Sequence, residues 1–168
     1  MQAAQLVAPR TWKLVDTENP QADPTTMLIR LERVAICGSD KPSFCGIHPH
    51  YPLPLGTTGH EGLGIVEACP SGAFAEGQRV LLWGFDRGLF QEYVLTNDSF
   101  DGCIALPHSI CEETILMSQL LGTVIHAFYK LGNVINQHTV VIGQGAVGQL
   151  FNAVLSNLGT RSIIAVDP

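Results

Sequence analysis

The chain has 168 residues, of which 46% are hydrophobic and 14% charged, with 9 Lys and Arg against 15 Asp and Glu for a net charge of −6. Such a composition buries one ordinary core or two small ones and excludes disorder as the main state. An acidic balance without a basic patch provides no field for gathering phosphates, so nucleic-acid and anionic-membrane partners give way to a small-molecule partner.

The first residues, MQAAQLVAPRTWKLVDTENP, have neither a basic start nor an apolar run of signal-peptide length, which leads us to expect a cytoplasmic protein. From Met27, TMLIRLERVAIC mixes branched aliphatic and charged residues as a half-buried strand does, and it stops at Cys37-Gly38. Residues 39–59 hold Pro42, Pro49, Pro52, Pro54, Gly46, Gly56 and Gly59, a density that predicts an ordered loop without long regular elements. Short strands follow at 62–69, 78–84 and 89–96, each bounded by turn residues, in the spacing of a small antiparallel barrel or sandwich.

Around Ser109 the texture changes. Ser109 as N-cap, Glu112 and Glu113 in the first turn and Lys130 before Gly132 predict a helical region, with a break near Gly122. The end of the chain then reads as strand (139–142), glycine turn, helix (147–158) and strand (162–166), one βαβ unit. Two long uncharged stretches, 114–129 and 131–160, are interrupted by Ser118, Gln119, His126, Asn133 and a glycine cluster, and neither predicts a membrane span.

Gly143-Gln144-Gly145-Ala146-Val147-Gly148 matches G-x-G-x-x-G between an apolar strand and a helix. Gly143 suits the tight turn, Gly145 lets backbone approach a pyrophosphate, and Gly148 lets helix and strand pack closely. Asp167 ends the next strand, where a carboxylate accepts from both adenosine ribose hydroxyls and repels a 2′-phosphate, so NAD is favoured over NADP. The plainer alternative is that the glycines only make a strand-to-helix turn.

Cys37 ends a strand, and Gly59-His60-Glu61-Gly62 follows the proline-rich loop. A thiolate and an imidazole on either side of a rigid loop can converge on zinc, with Glu61 binding it or orienting the site from behind. On spacing alone, a buried structural cysteine and a loop histidine bonded to backbone remain the alternative. Five cysteines, an odd number without a CxxC pair, argue against a disulfide scaffold and leave free thiols or metal ligands.

Taken in order, ICGSD (36–40), GHEGLGIV (59–66), EGQRVLL (76–82), LFQEYVL (89–95) and VVIGQGAVG (140–148) resemble the zinc-dependent medium-chain dehydrogenase/reductase family, to which alcohol, polyol and threonine dehydrogenases belong. The resemblance covers nearly everything from Met27 onward. It implies an α/β plus β architecture: a GroES-like β-barrel catalytic domain with connecting helices over 1–135, and over 136–168 the first βαβ unit of a Rossmann fold, which would be truncated. It implies one catalytic zinc held by Cys37 and His60, with Glu61 ligating or exchanging with water. Ser39 falls where the family has the hydroxyl that contacts the substrate oxygen and begins a proton relay. Asp40 belongs to the same motif, with a turn cap as the alternative.

Three departures from the family pattern stand out. Its third zinc ligand aligns with Gln119, a neutral donor that would leave the site with a formal charge of +1 and a more weakly held, more electrophilic metal. The four-cysteine lobe for structural zinc is absent, so no structural zinc is expected. The sequence stops one residue after Asp167, whereas a doubly wound dinucleotide domain uses about six strands, so the chain reads as an N-terminal fragment that on its own is inactive and binds NAD poorly. Family dimer contacts use later strands, which leaves a homo-oligomer open for the full-length form.

The implied activity is reversible hydride transfer between an alcohol of polyol, sugar, amino-alcohol or simple type and NAD. Its rivals are a zinc-free quinone or enone reductase and a non-catalytic binding module. Cys45-Gly46-Ile47-His48-Pro49-His50 has metal-like spacing but reads as a non-ligand loop. His126 reads as packed or capping, His108 and His138 as turn residues, and Cys69, Cys103 and Cys111 as small apolar fillers.

Overall fold

A computed structural model describes residues 1–48, 50–84, 87–97, 102–107 and 110–168. The chain divides into two compact units, Met1–Leu116 and Met117–Pro168.

The first unit opens with an antiparallel hairpin, β1 (Gln2–Ala8) and β2 (Thr11–Asp16), in which Gln2 faces Asp16 and Leu6 faces Trp12. This hairpin was not foreseen from sequence. Its turn contains Arg10 at φ 61°, a left-handed residue without the usual glycine or Asn-Gly signal. Ala4 N–H bonds Phe90 O and Leu53 N–H bonds Leu6 O, so the hairpin is tied to the loop on one side and to the approach of a later strand on the other.

The main sheet has five antiparallel strands in the order β6-β3-β4-β5-β7: β3 (Thr26–Val34), β4 (Glu61–Ala68), β5 (Arg79–Trp83), β6 (Tyr93–Asn97) and β7 (Cys103–Ala105). Its core gathers Met27, Ile29, Val66, Phe74, Val80, Leu82, Leu89 and Val94, all nearly without exposure. Met27 and Ile29 lie two apart on β3, as the strand's period of two requires for one buried face. The expected strand at 89–96 enters the ladder only at Tyr93, because Gln91 N–H turns back onto Leu89 O. The proline-rich loop holds one short helix, α1 (Asp40–Cys45), closed by Gly46 at φ 103°.

Helix α2 runs unbroken over Glu112–Leu131, and the division between the units falls within it. The expected break at Gly122 does not occur: no atom crowds that position, so glycine costs only its propensity, about 1 kcal/mol. Ser109, the expected N-cap, and His108 lie outside the described residues. Within the first unit the helix start is held by charge and packing. Glu112 pairs with Arg33 (3.0 Å) and Arg79 (3.2 Å), Arg79 also reaches Glu32 (3.5 Å), and Ile115 packs on Leu63 and Leu81.

The second unit is a βαβ arrangement: β8 (His138–Ile142) and β9 (Ser162–Val166) pair in parallel, joined by α3 (Ala146–Asn157). Phe128 of α2 and Phe151 of α3 pack with ring centroids 5.3 Å apart. No helix among the described residues is long and apolar enough to cross a membrane.

Candidate functional site

The antiparallel pairing of β3 and β4 builds the first site. Val34, at the end of β3, faces Gly62 near the start of β4, so the residues leaving β3 run beside those entering β4. Cys37 lies just past one strand and His60 just before the other. Three successive carbonyls hold the second segment from different directions: Gly59 O accepts from Leu89 N–H (2.9 Å), His60 O from Gly84 N–H (3.0 Å) and Glu61 O from Ala35 N–H (2.9 Å). Gly59 makes this possible, since a Cβ there would stand 2.9 Å from the Phe90 nitrogen.

One donor atom each from Cys37, His60 and Glu61 lies within 4.8 Å of the others. No other group of three His, Cys, Asp or Glu side chains converges in this way among the described residues. His60 and Glu61 are buried, each 6% exposed, and Asp40 beside them is equally hidden. Asp40 has two tasks: its Oδ2 accepts from Cys37 N–H (2.7 Å), and its Oδ1 lies 3.1 Å from His60 Nδ1. Thr58 O lies 3.1 Å from that same nitrogen. Both partners of Nδ1 are acceptors, so the network assigns the ring proton to Nδ1 and directs the Nε2 lone pair into the site.

Ser39 Oγ is 3.1 Å from Nε2 and donates to it, while Glu61 Oε1 is 3.5 Å from the same atom. A nitrogen lone pair, a carboxylate oxygen and a half-buried sulfur brought this close together offer a cation three donor atoms. Sulfur, nitrogen and oxygen are the donors zinc accepts, so the residues present fit that metal.

Asp40 is the neighbour of this candidate site that spacing did not assign. Both readings weighed for it meet in one side chain, which caps the Cys37 turn and orients His60. The signal was its position three residues after Cys37, but its role needs the closure of β3 onto β4.

A cavity of about 440 Å³ shares Cys37, Asp40 and Thr58 with this site, and its remaining wall includes Trp12, Ile36, Phe44 and Phe90. That volume lies in the usual range for small-molecule pockets. The nearby Cys45 and His48 are drawn elsewhere: Cys45 is exposed and His48 Nε2 meets Ser43 Oγ at 3.0 Å. Pro49, in the same stretch, lies outside the described residues.

The second candidate is the glycine turn. Gly143 has φ 92°, a left-handed conformation that L side chains rarely adopt, and a Cβ on Gly148 would fall 1.8 Å from Gly143 O. A Cβ on Gly145 would meet nothing within 4 Å, so the backbone there is bare toward an approaching group, as a pyrophosphate needs. Asp167 Oδ1 accepts from Gln144 N–H at 2.9 Å, which brings the carboxylate to the turn. These residues fit the adenosine and pyrophosphate portion of a dinucleotide. Gln119 lies on α2 in the second unit, and its Oε1 is buried without a hydrogen-bond partner among the described residues.

Three of the side chains set aside, Cys111 as a filler, His126 as packed or capping and His138 as a turn residue, differ from expectation. Cys111 is exposed, with Sγ 2.8 Å from Thr114 Oγ1; His126 is exposed on α2; and His138 begins β8 with Nδ1 2.6 Å from Ser162 Oγ. Cys69 and Cys103 are buried as expected, and burial pushes the Cys103 thiol up to about 11.

Residues 23–108, just over half of the sequence, match the family described as the alcohol dehydrogenase GroES-like domain, and the chain belongs to that family. L-threonine 3-dehydrogenase of Deinococcus deserti is 26% identical over 92% of this chain and 53% of its own length. Among solved structures, alcohol dehydrogenase TADH from Thermus sp. ATN1 superposes with a TM-score of 0.83 at 23% identity, over 98% of this chain and 57% of that one. Galactitol-1-phosphate dehydrogenase from Escherichia coli gives 0.82 at 20% identity, over 98% and 55%. Those two likenesses establish the fold. The chain spans about half the length of the curated relatives it matches.

Proposed function

We propose that this chain carries the metal-holding centre and the first nucleotide-binding unit of a zinc-type, NAD-dependent dehydrogenase that interconverts an alcohol with its aldehyde or ketone. The observation that carries the reading is the meeting of Cys37, His60 and Glu61 within 4.8 Å beside a cavity of small-molecule size. Cys37 Sγ and His60 Nε2 would hold the zinc, with Glu61 as ligand or exchanging carboxylate. The amide oxygen of Gln119, which falls where the resembled family has its third ligand, is proposed as the remaining donor. When bound, zinc supplies Lewis acidity that favours loss of the alcohol proton, the same effect that lowers the pKa of a bound water to about 7.

The chain's own residues supply the rest. Ser39 Oγ, at the edge of the donor group, begins a proton relay: it takes up the hydroxyl proton of the substrate as it passes its own on toward solvent. Asp40 and Thr58 fix the His60 ring so that Nε2 faces the site. The apolar side chains of Trp12, Phe44 and Phe90 line the space beside Cys37 and offer it an apolar wall. At the turn, the bare backbone of Gly145 admits a pyrophosphate, and Asp167 accepts from the ribose hydroxyls and repels a 2′-phosphate, the basis for choosing NAD over NADP.

Zinc analysis of the purified chain tests the metal centre. About one zinc per chain is expected after zinc-supplemented expression and dialysis, falling to near zero in Cys37→Ser. Undiminished zinc in that variant, or none in the wild type, would overturn the proposal.

A further inference from the structure

Gln144 sits between Gly143 and Gly145, and all four of its polar atoms are engaged. Its N–H donates to Asp167 Oδ1 (2.9 Å), and its carbonyl accepts from Gln149 Nε2 (3.0 Å). Its side-chain Nε2 donates to Val141 O (3.1 Å), and its Oε1 accepts from Asn152 Nδ2 (2.6 Å). The residue is thus anchored to β8 behind it, to α3 at two points and to the end of β9.

This anchoring goes beyond what the glycine pattern needs. A strand-to-helix turn forms on backbone alone, and the middle position of Gly-x-Gly faces no steric demand for glutamine. Asn152 also keeps its Oδ1 buried without a partner among the described residues, so its hold on the turn runs through the 2.6 Å bond from Nδ2. The arrangement fixes where the Gln144 N–H points, and that N–H is directed at the carboxylate on the next strand.

We propose that Gln144 and Asn152 are positioning residues. They hold the Asp167 carboxylate in the pose that accepts an adenosine ribose, and so set the preference for a dinucleotide with a free 2′-hydroxyl over one bearing a 2′-phosphate. The inference rests on the dinucleotide reading above. A carboxylate tethered by a backbone N–H cannot swing aside for a 2′-phosphate without breaking that bond, whereas an untethered one moves at little cost.

The test uses the 168-residue chain with two probes, ADP-ribose and 2′-phospho-ADP-ribose, together with amide hydrogen exchange at Gln144. In the wild type the Gln144 amide exchanges slowly and ADP-ribose binds more tightly than its phosphorylated analogue. Asn152→Leu removes the donor to Gln144 Oε1. It is expected to speed Gln144 exchange and to reduce the ADP-ribose preference about three- to tenfold, the scale of one lost hydrogen bond, mainly by weakening ADP-ribose.

Gln149→Ala removes only an exposed bond to the Gln144 carbonyl. It serves as the second variant if Asn152→Leu fails to fold, with the same direction expected at smaller size. Unchanged exchange and an unchanged preference in the folded variants overturn the inference while leaving the dinucleotide reading intact. Because the chain by itself is expected to bind weakly, both probes are titrated into the millimolar range, and a wild type that binds neither even there overturns both.

Discussion

The two candidate sites are built from opposite materials. The Cys37, His60 and Glu61 centre is made of side chains, hidden in the first unit and brought together from separate stretches by the pairing of β3 with β4. The glycine turn is made of backbone, comes from one contiguous run, and works because Gly143 and Gly145 bear no side chain and Gly148 cannot accept one. The first is therefore vulnerable to loss of a functional group, and the second to the gain of a methyl.

The sharpest way to break this contrast is Gly148→Ala. Its Cβ would collide with the Gly143 carbonyl, which cannot yield as a flexible side-chain end would, and we expect about 3 kcal/mol of destabilisation confined to the second unit. Amide spectra should lose dispersion for residues 138–166 while those of β3, β4 and β5 persist. Equal loss in both units would show that the regions do not respond separately.

Asp40→Asn is the counterpart in the first unit. Asparagine can still accept from Cys37 N–H, but it turns an NH₂ toward the Nδ1 proton of His60 or gives up the cap, and zinc should bind about 10- to 100-fold more weakly with the sheet intact. Competition against a chelator measures this, and an unchanged affinity would remove Asp40 from the site's architecture.

A smaller effect belongs to the start of α2. Glu112→Gln weakens its pairs with Arg33 and Arg79, which are partly exposed, so a loss of at most about 1 kcal/mol is expected, shrinking as salt is raised. Denaturant titrations at two ionic strengths read it.

The least change is expected at Cys103. Its thiol titrates at about 11 in the fold, raised chiefly by burial, against an ordinary value near 9.0. The unfolded chain therefore gives up this proton first, and the contribution of Cys103 to stability is whole below about 9 and is lost as pH rises toward about 11. At neutral pH, alkylation mapped by mass spectrometry should reach exposed Cys45 and Cys111 at least about tenfold faster than Cys103.

Whether a feature could be read from the sequence followed from how local its cause is. The glycine turn and Asp167 were legible because strand, turn, helix and acid lie in register along one βαβ unit. Cys37 and His60 were legible as candidates, but their meeting depends on the register of Val34 with Gly62, which the residues between them do not encode locally. The β1–β2 hairpin was hidden because its turn uses Arg10 in a left-handed conformation where glycine or asparagine would have announced it. Gly122 misled in the other direction: in a long helix, an uncrowded glycine is a modest penalty and not a stop.

One carboxylate spans the gap between the Cys37 turn and the His60 ring, bonding the backbone of one and the side chain of the other. The Cys37 backbone and the His60 imidazole are therefore not free to drift independently: a shift that opens the distance between them must stretch one of Asp40's attachments. The pair behaves as a caliper with a fixed jaw, and an ion of mismatched radius would meet resistance from a residue it never touches.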